Sequence, residues 1–220
     1  MDRETWLKER RRLAEERMDT IFAPIYDQHW GATIAATHQR IIRQFLDLCP
    51  PGCVILDAAC GTGKYWPVIY SSGRTVFGVD QSQGMLARAR EKHPAIQTEK
   101  VGLQELSFQD IFAAALCVDA MEYIFPEDWP LVLHNLHRAL KPGGLLYFTV
   151  ELPQENEVKN AFTTGQLLGL PLVYGEWALG GGYHYYPEMQ QVREWLAQAR
   201  FRQVAETEGD EYQHFIVQKS

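Results

Sequence analysis

V-I-L-D-A-A-C-G-T-G-K, residues 54–64, decides how this chain of 220 residues folds. Residues 53–58 form an apolar run of the kind that becomes a buried strand, interrupted only by Asp57. A tight Gly61-Thr62-Gly63 turn follows, then a short helix over residues 64–72. Glycine suits such a turn because it takes up left-handed backbone and lets main chain approach a ligand closely. The helix behind it begins with unpaired N–H groups that face the same spot. A second apolar run, residues 75–79, ends in Asp80. An acid at that strand tip is placed to accept hydrogen bonds from the vicinal hydroxyls of a ribose.

The same strand–helix alternation continues outward. A helix over residues 82–92 has Ser82 as its N-cap, residues 96–101 and 113–118 read as strands, and residues 129–140 form a helix with Trp129, Val132, Leu133, Leu136 and Leu140 on one side. After the turn Lys141-Pro142-Gly143-Gly144 comes a strand over residues 145–150. Strands alternating with helices imply parallel pairing with both faces covered. Upstream, residues 3–20 read as a charged helix, residues 22–31 as a break containing Pro24, and residues 33–48 as an amphipathic helix ended by Pro50-Pro51-Gly52. Residues 152–186 lose the alternation and mix glycines with Trp177, Tyr183, His184, Tyr185 and Tyr186, which reads as a partly helical insertion able to cover a site. A helix from Pro187 to about residue 199 and two strands, residues 203–208 and 212–218, close the chain. This gives an N-terminal helical cap over residues 1–52, a core over 53–151, a lid over 152–186, and a helix and strand pair over 187–220 that complete the core.

A dinucleotide site shares the strand–turn–helix plan, but its G-x-G-x-x-G fingerprint needs glycine at position 66, where Trp66 stands. A bulky indole there is expected to obstruct close helix–strand packing. Asp57, just before the turn, would repel a pyrophosphate and instead suits a cationic amino group, directly or through water. Ribose together with positive charge is satisfied by S-adenosylmethionine.

Four segments now resemble one family, the class I S-adenosylmethionine-dependent methyltransferases. D-A-A-C-G-T-G is similar to that family's D-x-G-C-G-T-G, with Ala59 where glycine is usual. Asp80 followed by Gln81-Ser82-Gln83-Gly84-Met85-Leu86, then C-V-D-A-M-E-Y-I over residues 117–124, then Lys141-Pro142-Gly143-Gly144, follow in the family's order and spacing. The resemblance implies an α/β fold with a Rossmann-like, doubly wound, seven-stranded sheet, mostly parallel with a C-terminal antiparallel hairpin. It implies cofactor contacts from Tyr26, Asp57, Ala58 and Ala59, from Gly61 and Gly63 against the methionyl and ribose parts, and from Asp80 on the ribose. Gln81 and Met85 would flank the adenine. Gly102 and Leu103 stand where the family often has an acid for the adenine amino group, so backbone groups or Gln104 take over that task. The Cys117 backbone would touch the amino acid part. Tyr123 stands where family members often carry histidine, which makes it a candidate for the catalytic set with His29 and His184. His29 equally packs the cap, and His184 equally sits at the surface of a hairpin. Asp119 and Glu122 either reach an acceptor or fix their own loop.

Composition narrows the partner. With 28 acids, 21 bases and a formal charge of −7, the chain lacks the basic face of a phosphate-neutralising nucleic-acid binder, so nucleic acid is not expected as a partner. The mixed charges of residues 1–20 have no apolar core of the signal-peptide kind, and runs such as residues 145–150 are too short to cross a bilayer. Cys49, Cys53, Cys60 and Cys117 follow no secreted disulfide pattern, which suits the cytoplasm. His134 and His137 lie off the apolar side of their helix and read as a solvated face, so no metal is expected. The expectation is methyl transfer to a small-molecule acceptor by a monomer or homodimer. An RNA- or protein-modifying methyltransferase, or a protein that binds the cofactor without catalysis, are the alternatives.

Overall fold

The computed structural model describes residues 1–31 and 33–220. The strands are β1 (Val54–Ala58), β2 (Thr75–Asp80), β3 (Gln97–Lys100), β4 (Phe112–Cys117), β5 (Leu140–Glu151), β6 (Glu176–Trp177), β7 (His184–Tyr185), β8 (Phe201–Gly209) and β9 (Tyr212–Lys219). Seven of them form one sheet in the order β3-β2-β1-β4-β5-β9-β8, while β6 and β7 pair separately. Pairing is parallel from β3 through β5, and antiparallel where β9 joins β5 and β8 joins β9. The chain therefore has the Rossmann-like α/β sheet implied by its motifs.

The helices are α1 (Arg3–Arg17), α2 (Ala36–Leu48), α3 (Trp66–Ser71), α4 (Gln83–Lys92), α5 (Trp129–Ala139), α6 (Glu157–Leu167) and α7 (Met189–Gln198). Strand side chains point alternately to the two sheet faces, and each face has its own helical layer. Leu56, Ala115, Cys117, Leu146, Phe148, Phe215 and Val217 pack with Val132, Leu133 and Leu136 of α5 and Val192 and Leu196 of α7. Ile55, Ala114, Leu116, Tyr147 and Ile216 pack with Ile41, Ile42 and Phe45 of α2, Trp66 and Ile69 of α3, and Leu86 and Ala89 of α4. Every central strand is thus apolar on both sides, as a doubly covered sheet requires.

Three local details differ from the sequence reading. The first helix stops at Arg17, and the chain continues as a wider π turn over Met18–Phe22 and a second over Asp27–Gly31. Both turns carry an acid to the βα units of the sheet. Asp19 accepts from the Ser82 hydroxyl at 2.5 Å and the Gly84 amide at 2.9 Å, and Asp27 accepts from Thr62 at 2.6 Å and Lys92 at 2.7 Å. Next, the Lys141-Pro142-Gly143-Gly144 turn lies inside the bounds of β5. Leu140 already pairs with Phe112, the register shifts across the turn, and pairing resumes at Leu145 with Ala114. Finally, the insertion contributes α6 and the small β6–β7 ladder. There Glu176 is fully buried and holds Arg3 through both guanidinium Nη atoms at 2.9 Å, the Tyr183 hydroxyl at 2.7 Å and the Val173 amide at 2.7 Å. This carboxylate joins α1 to the β6–β7 ladder, and Arg3 also donates to the Pro171 carbonyl at 2.7 Å.

Trp66 explains why two glycines are needed. A Cβ on Gly78 in β2 would stand 2.6 Å from the indole Cζ2, and one on Gly63 would stand 2.6 Å from Cε3. The indole fills the gap that the missing side chains leave, and it is fully buried. The expected obstruction of helix–strand packing is therefore corrected: the glycines make room for the ring. Gly78→Ala should overpack this gap and cost about 1–3 kcal/mol in chemical denaturation. A variant as stable as the parent would mean the indole can move aside.

Candidate functional site

A cavity of about 590 Å³ opens over the carboxyl ends of β1, β2, β4 and β5. That volume is in the range of small-ligand and cofactor sites, and the place is where open parallel sheets bind ligands. The floor comes from the turns after the strands. The roof comes from α1, the two π turns and the stretch around Gly181–His184.

Local backbone geometry shapes the floor near β1. Ala59 adopts left-handed φ of 64° and Gly61 of 53°, which turns the chain so that the Gly61 amide faces Asp80. Asp80 accepts from the Gly61 amide at 2.8 Å on one oxygen and from the Ser82 amide at 2.8 Å on the other. It is 9% exposed and lines the cavity. Burial pushes its carboxyl up to about 6, even though both amide hydrogen bonds favour the charged form. Each oxygen keeps a lone pair for a further donor, so the residue retains the capacity to hold a diol.

Other residues expected at a cofactor site divide into two groups. Tyr26, Ala59, Gly61, Asp80, Gln81, Met85, Gly102, Leu103 and Gln104 line the cavity. Asp57, Ala58, Gly63 and Cys117 do not; they form the layer behind it. For Asp57 the reason is specific. Its carboxylate accepts from the Trp66 indole N–H at 2.7 Å and is buried, so the side chain points into the helix–sheet layer and away from the cavity. Burial pushes its carboxyl up to about 7, against the lowering effect of the indole hydrogen bond.

The expected catalytic residues also divide. His29 does not line the cavity and packs against Trp30 with ring centroids 5.3 Å apart. Tyr123 and His184 do line it, edge to face at 5.0 Å. The His184 Nδ1 lies 2.6 Å from Glu151 at the end of β5, which leaves Nε2 free to act as an acceptor in the neutral ring.

Asp119 and Glu122, read from the sequence as acceptor contacts or loop-fixing groups, both line the cavity, whereas His38 and Glu151 were missed by sequence reasoning. Asp119, with left-handed φ of 53°, gathers the His38 Nε2 at 3.0 Å, the Tyr65 hydroxyl at 2.6 Å and, more loosely, the Lys64 ammonium at 3.9 Å. Burial raises the Asp119 carboxyl, but His38, Tyr65 and Lys64 outweigh it and hold the group below the usual carboxylate value. His38 occupies the same face of α2 as Ile41, Ile42 and Phe45, and a histidine in an apolar stripe was the available signal. Glu151, an acid at a strand's carboxyl end, carried another. Glu122 on the turn Met121–Tyr123 is 2% exposed, lines the cavity, and has a carboxyl oxygen with no hydrogen-bond partner.

Comparison with known proteins adds the following. A family model described as a methyltransferase domain matches residues 55–144. A malonyl-[acyl-carrier protein] O-methyltransferase of Pectobacterium atrosepticum is 33% identical over 97 residues, which are 44% of this chain and 38% of that protein. The match thus spans well under half the length of that relative. Among solved structures, magnesium protoporphyrin IX methyltransferase of Synechocystis PCC 6803 with bound SAH superposes with a TM-score of 0.70 at 16% identity, covering 96% of this chain and 100% of that one. The 1,6-didemethyltoxoflavin-N1-methyltransferase of Burkholderia thailandensis, bound to 1,6-didemethyltoxoflavin and S-adenosylhomocysteine, gives 0.73 at 17% identity, covering 97% and 90%. At such identities these structures establish the shared fold.

Asp57 has a pH signature. Its folded value of about 7 lies above the usual 3.8. The folded protein therefore holds a proton that the unfolded chain releases, and this stabilisation, full below pH about 4, is lost as pH rises towards 7. Asp57→Asn keeps an acceptor for the indole and removes the titration. Its melting temperature should fall less than the parent's between pH 5 and pH 8. Parallel curves would mean Asp57 is ionised in the fold throughout.

Proposed function

We propose, from the premise that the chain belongs to the class I S-adenosylmethionine-dependent methyltransferase family, that it transfers the methyl group of S-adenosylmethionine to a small-molecule acceptor. The observation that carries this is Asp80 at the tip of β2, beside the left-handed Gly61 turn, on the wall of a cavity of about 590 Å³.

The cavity's residues fit the cofactor. Asp80 would take the ribose hydroxyls. Gln81, Met85 and the Gly102-Leu103-Gln104 segment would surround the adenine. Lys64 and Asp119, of opposite charge and 3.9 Å apart, are suited to the carboxylate and ammonium of the amino acid part. When bound, S-adenosylmethionine supplies a methyl group made electrophilic by the positive charge on its sulfur. The chain's own work is to align, to exclude water and to take up a proton. Alignment contributes on the order of 7–11 kcal/mol in well-oriented systems. The phenol rings of Tyr26 and Tyr123 favour a nearby cation by about 0.5–2 kcal/mol. His184, oriented by Glu151, is the base for an acceptor that must lose a proton.

A small acceptor is supported by the roof of α1 and the insertion over the cavity, and by the acidic net charge of −7. The two structural neighbours named above are methyltransferases of magnesium protoporphyrin IX and of 1,6-didemethyltoxoflavin. We read residues 1–52 as cap, 53–151 as cofactor-binding core, 152–186 as lid and 187–220 as the closing helix and strand pair. Among the described residues no helix is long and apolar enough to cross a membrane. All four cysteines are free, which agrees with a reducing compartment such as the cytoplasm.

Calorimetric titration with S-adenosylmethionine, S-adenosylhomocysteine and NAD tests the reading; NAD binding without either sulfur ligand would overturn it. Asp80→Ala should weaken S-adenosylhomocysteine binding by roughly 1.5–3 kcal/mol, the range for hydrogen bonds to a charged group. His184→Gln should lower kcat about 10²–10⁴-fold with cofactor affinity unchanged. Equal losses in both quantities would assign His184 to binding instead of proton uptake.

A further inference from the structure

Resting on the methyl-transfer reading, we propose that the acceptor is a primary or secondary amine, bound in its ammonium form by the Glu122 carboxyl and the phenol rings of Tyr123 and Tyr212. Glu122 is the buried carboxyl in the cavity wall whose Oε2 has no partner. A buried polar atom left without a partner is costly, and a site that holds one is complementary to a ligand that supplies the missing group.

The surroundings decide the sign of that group. Glu122 is faced by the carboxyls of Asp119 and Glu151, and it in turn acts on the phenols of Tyr26, Tyr123 and Tyr212. The arginine and lysine cations that line the cavity come from α1 and from the turn after β1. Lys64 faces Asp119, Arg11 is bound to Asp128, Arg10 lies over the Trp6 ring and Arg17 over the Phe22 ring. With Lys64 and Asp119 assigned to the amino acid part of the cofactor, Glu122 and the Glu151–His184 pair remain for the acceptor. A carboxylate or phosphate acceptor would meet like charge there. An ammonium meets a carboxyl and the phenol rings of Tyr123 and Tyr212 in one cavity wall, the groups that recognise organic cations.

Proton movement follows from this arrangement. In the free protein, burial together with Asp119 and Glu151 pushes the Glu122 carboxyl well above the usual carboxylate range, towards the form that holds a proton. An ammonium alongside favours the charged carboxylate, and Glu122 gives that proton to solvent on binding. The amine must then lose one of its own protons to become a nucleophile. That proton passes from the ammonium nitrogen to Nε2 of His184, leaving a neutral amine and an imidazolium held by Glu151 at 2.6 Å.

The test uses the full chain saturated with S-adenosylhomocysteine. Phenethylamine and 3-phenylpropionate, of nearly equal shape and opposite charge, are titrated at pH 7 in buffers of different ionisation enthalpy. Phenethylamine should bind about tenfold or more tightly than 3-phenylpropionate, with net proton release. Glu122→Gln mimics the protonated acid and preserves the fold. It should weaken phenethylamine binding about tenfold or more and abolish the proton release, while S-adenosylhomocysteine affinity stays within about twofold. Equal or tighter binding of 3-phenylpropionate, no phenethylamine binding at millimolar concentration, or a Glu122→Gln variant that keeps both amine affinity and proton release would overturn the proposal. S-adenosylhomocysteine binding without amine preference sinks this inference alone. Failure to bind S-adenosylhomocysteine sinks the methyl-transfer reading and this inference with it.

Discussion

The Asp80 carboxyl is the joint on which the site depends. Its two oxygens tie the Gly61 amide of the first turn to the Ser82 amide at the start of α4, both at 2.8 Å. Hydrogen bonds to a charged group contribute about 1.5–3 kcal/mol each, enough to fix two turns from different βα units in one place. The connection extends further. Ser82 caps α4 by accepting from the Met85 amide at 3.1 Å, and its own hydroxyl donates to Asp19 of the cap. One chain of bonds thus runs from β1 through β2 to the N-terminal segment. It requires the Gly61 amide to point at Asp80, which in turn requires the left-handed steps at Ala59 and Gly61. At Ala59 an L residue in that conformation costs roughly 1–2 kcal/mol, which the two bonds at Asp80 offset.

Glu176 plays the matching part in the roof. It is a fully buried carboxylate, and such a charge is tolerated only where its oxygens are well bonded. Arg3, Tyr183 and the Val173 amide meet that need. Because Arg3 begins α1 and Glu176 begins β6, the pair fastens the first helix to the insertion above the cavity. Floor and roof thus each have a buried acid at a joint, with Asp19 and Asp27 tying the π turns of the roof to the turns below.

The sheet was legible because its signals are local. Apolar runs broken by glycine turns gave β1, β2, β4 and β5, Ser82 gave the start of α4, and alternation gave the closing hairpin. The cavity wall over β2 was legible for the same reason, since Asp80, Gln81 and Met85 follow one strand in sequence and line it together. The wall over β4 and β5 was legible only in part: Asp119, Glu122, Tyr123 and His184 were named from the sequence, but His38, Glu151 and Tyr212 come from distant segments brought there by the packing of α2 and by the pairing of β5 with β4 and β9. Asp57 misled for a related reason. Next to a glycine turn it reads as a ligand group, but the indole nine residues later claims its carboxylate, and only packing reveals that partnership. The π turns at residues 18–22 and 27–31 likewise answer to tertiary bonds made by Asp19 and Asp27, which periodicity does not register.

The sheet order also explains why the cavity has two electrostatic characters. Over β2 and β3 the lining is backbone-rich and uncharged apart from Asp80: Gln81, Met85, Gly102, Leu103 and Gln104 offer flat surfaces and amides. Over β4 and β5 the strand ends supply Asp119, Glu122 and Glu151, and the β8–β9 turn adds Asp210. Such an accumulation of acids would repel itself if all were ionised and unpaired. The structure resolves this by unequal treatment. Asp119 receives His38, Tyr65 and Lys64 and stays charged, Glu151 receives His184, and Glu122 receives nothing and is pushed towards its neutral form. Neighbouring carboxyls driven apart in this way acquire different chemical duties, one holding charge and another holding a proton. That division arises at the ends of β4 and β5, where Lys64 and Tyr65 behind the glycine turn reach Asp119 on one side and the antiparallel hairpin joins the parallel sheet on the other.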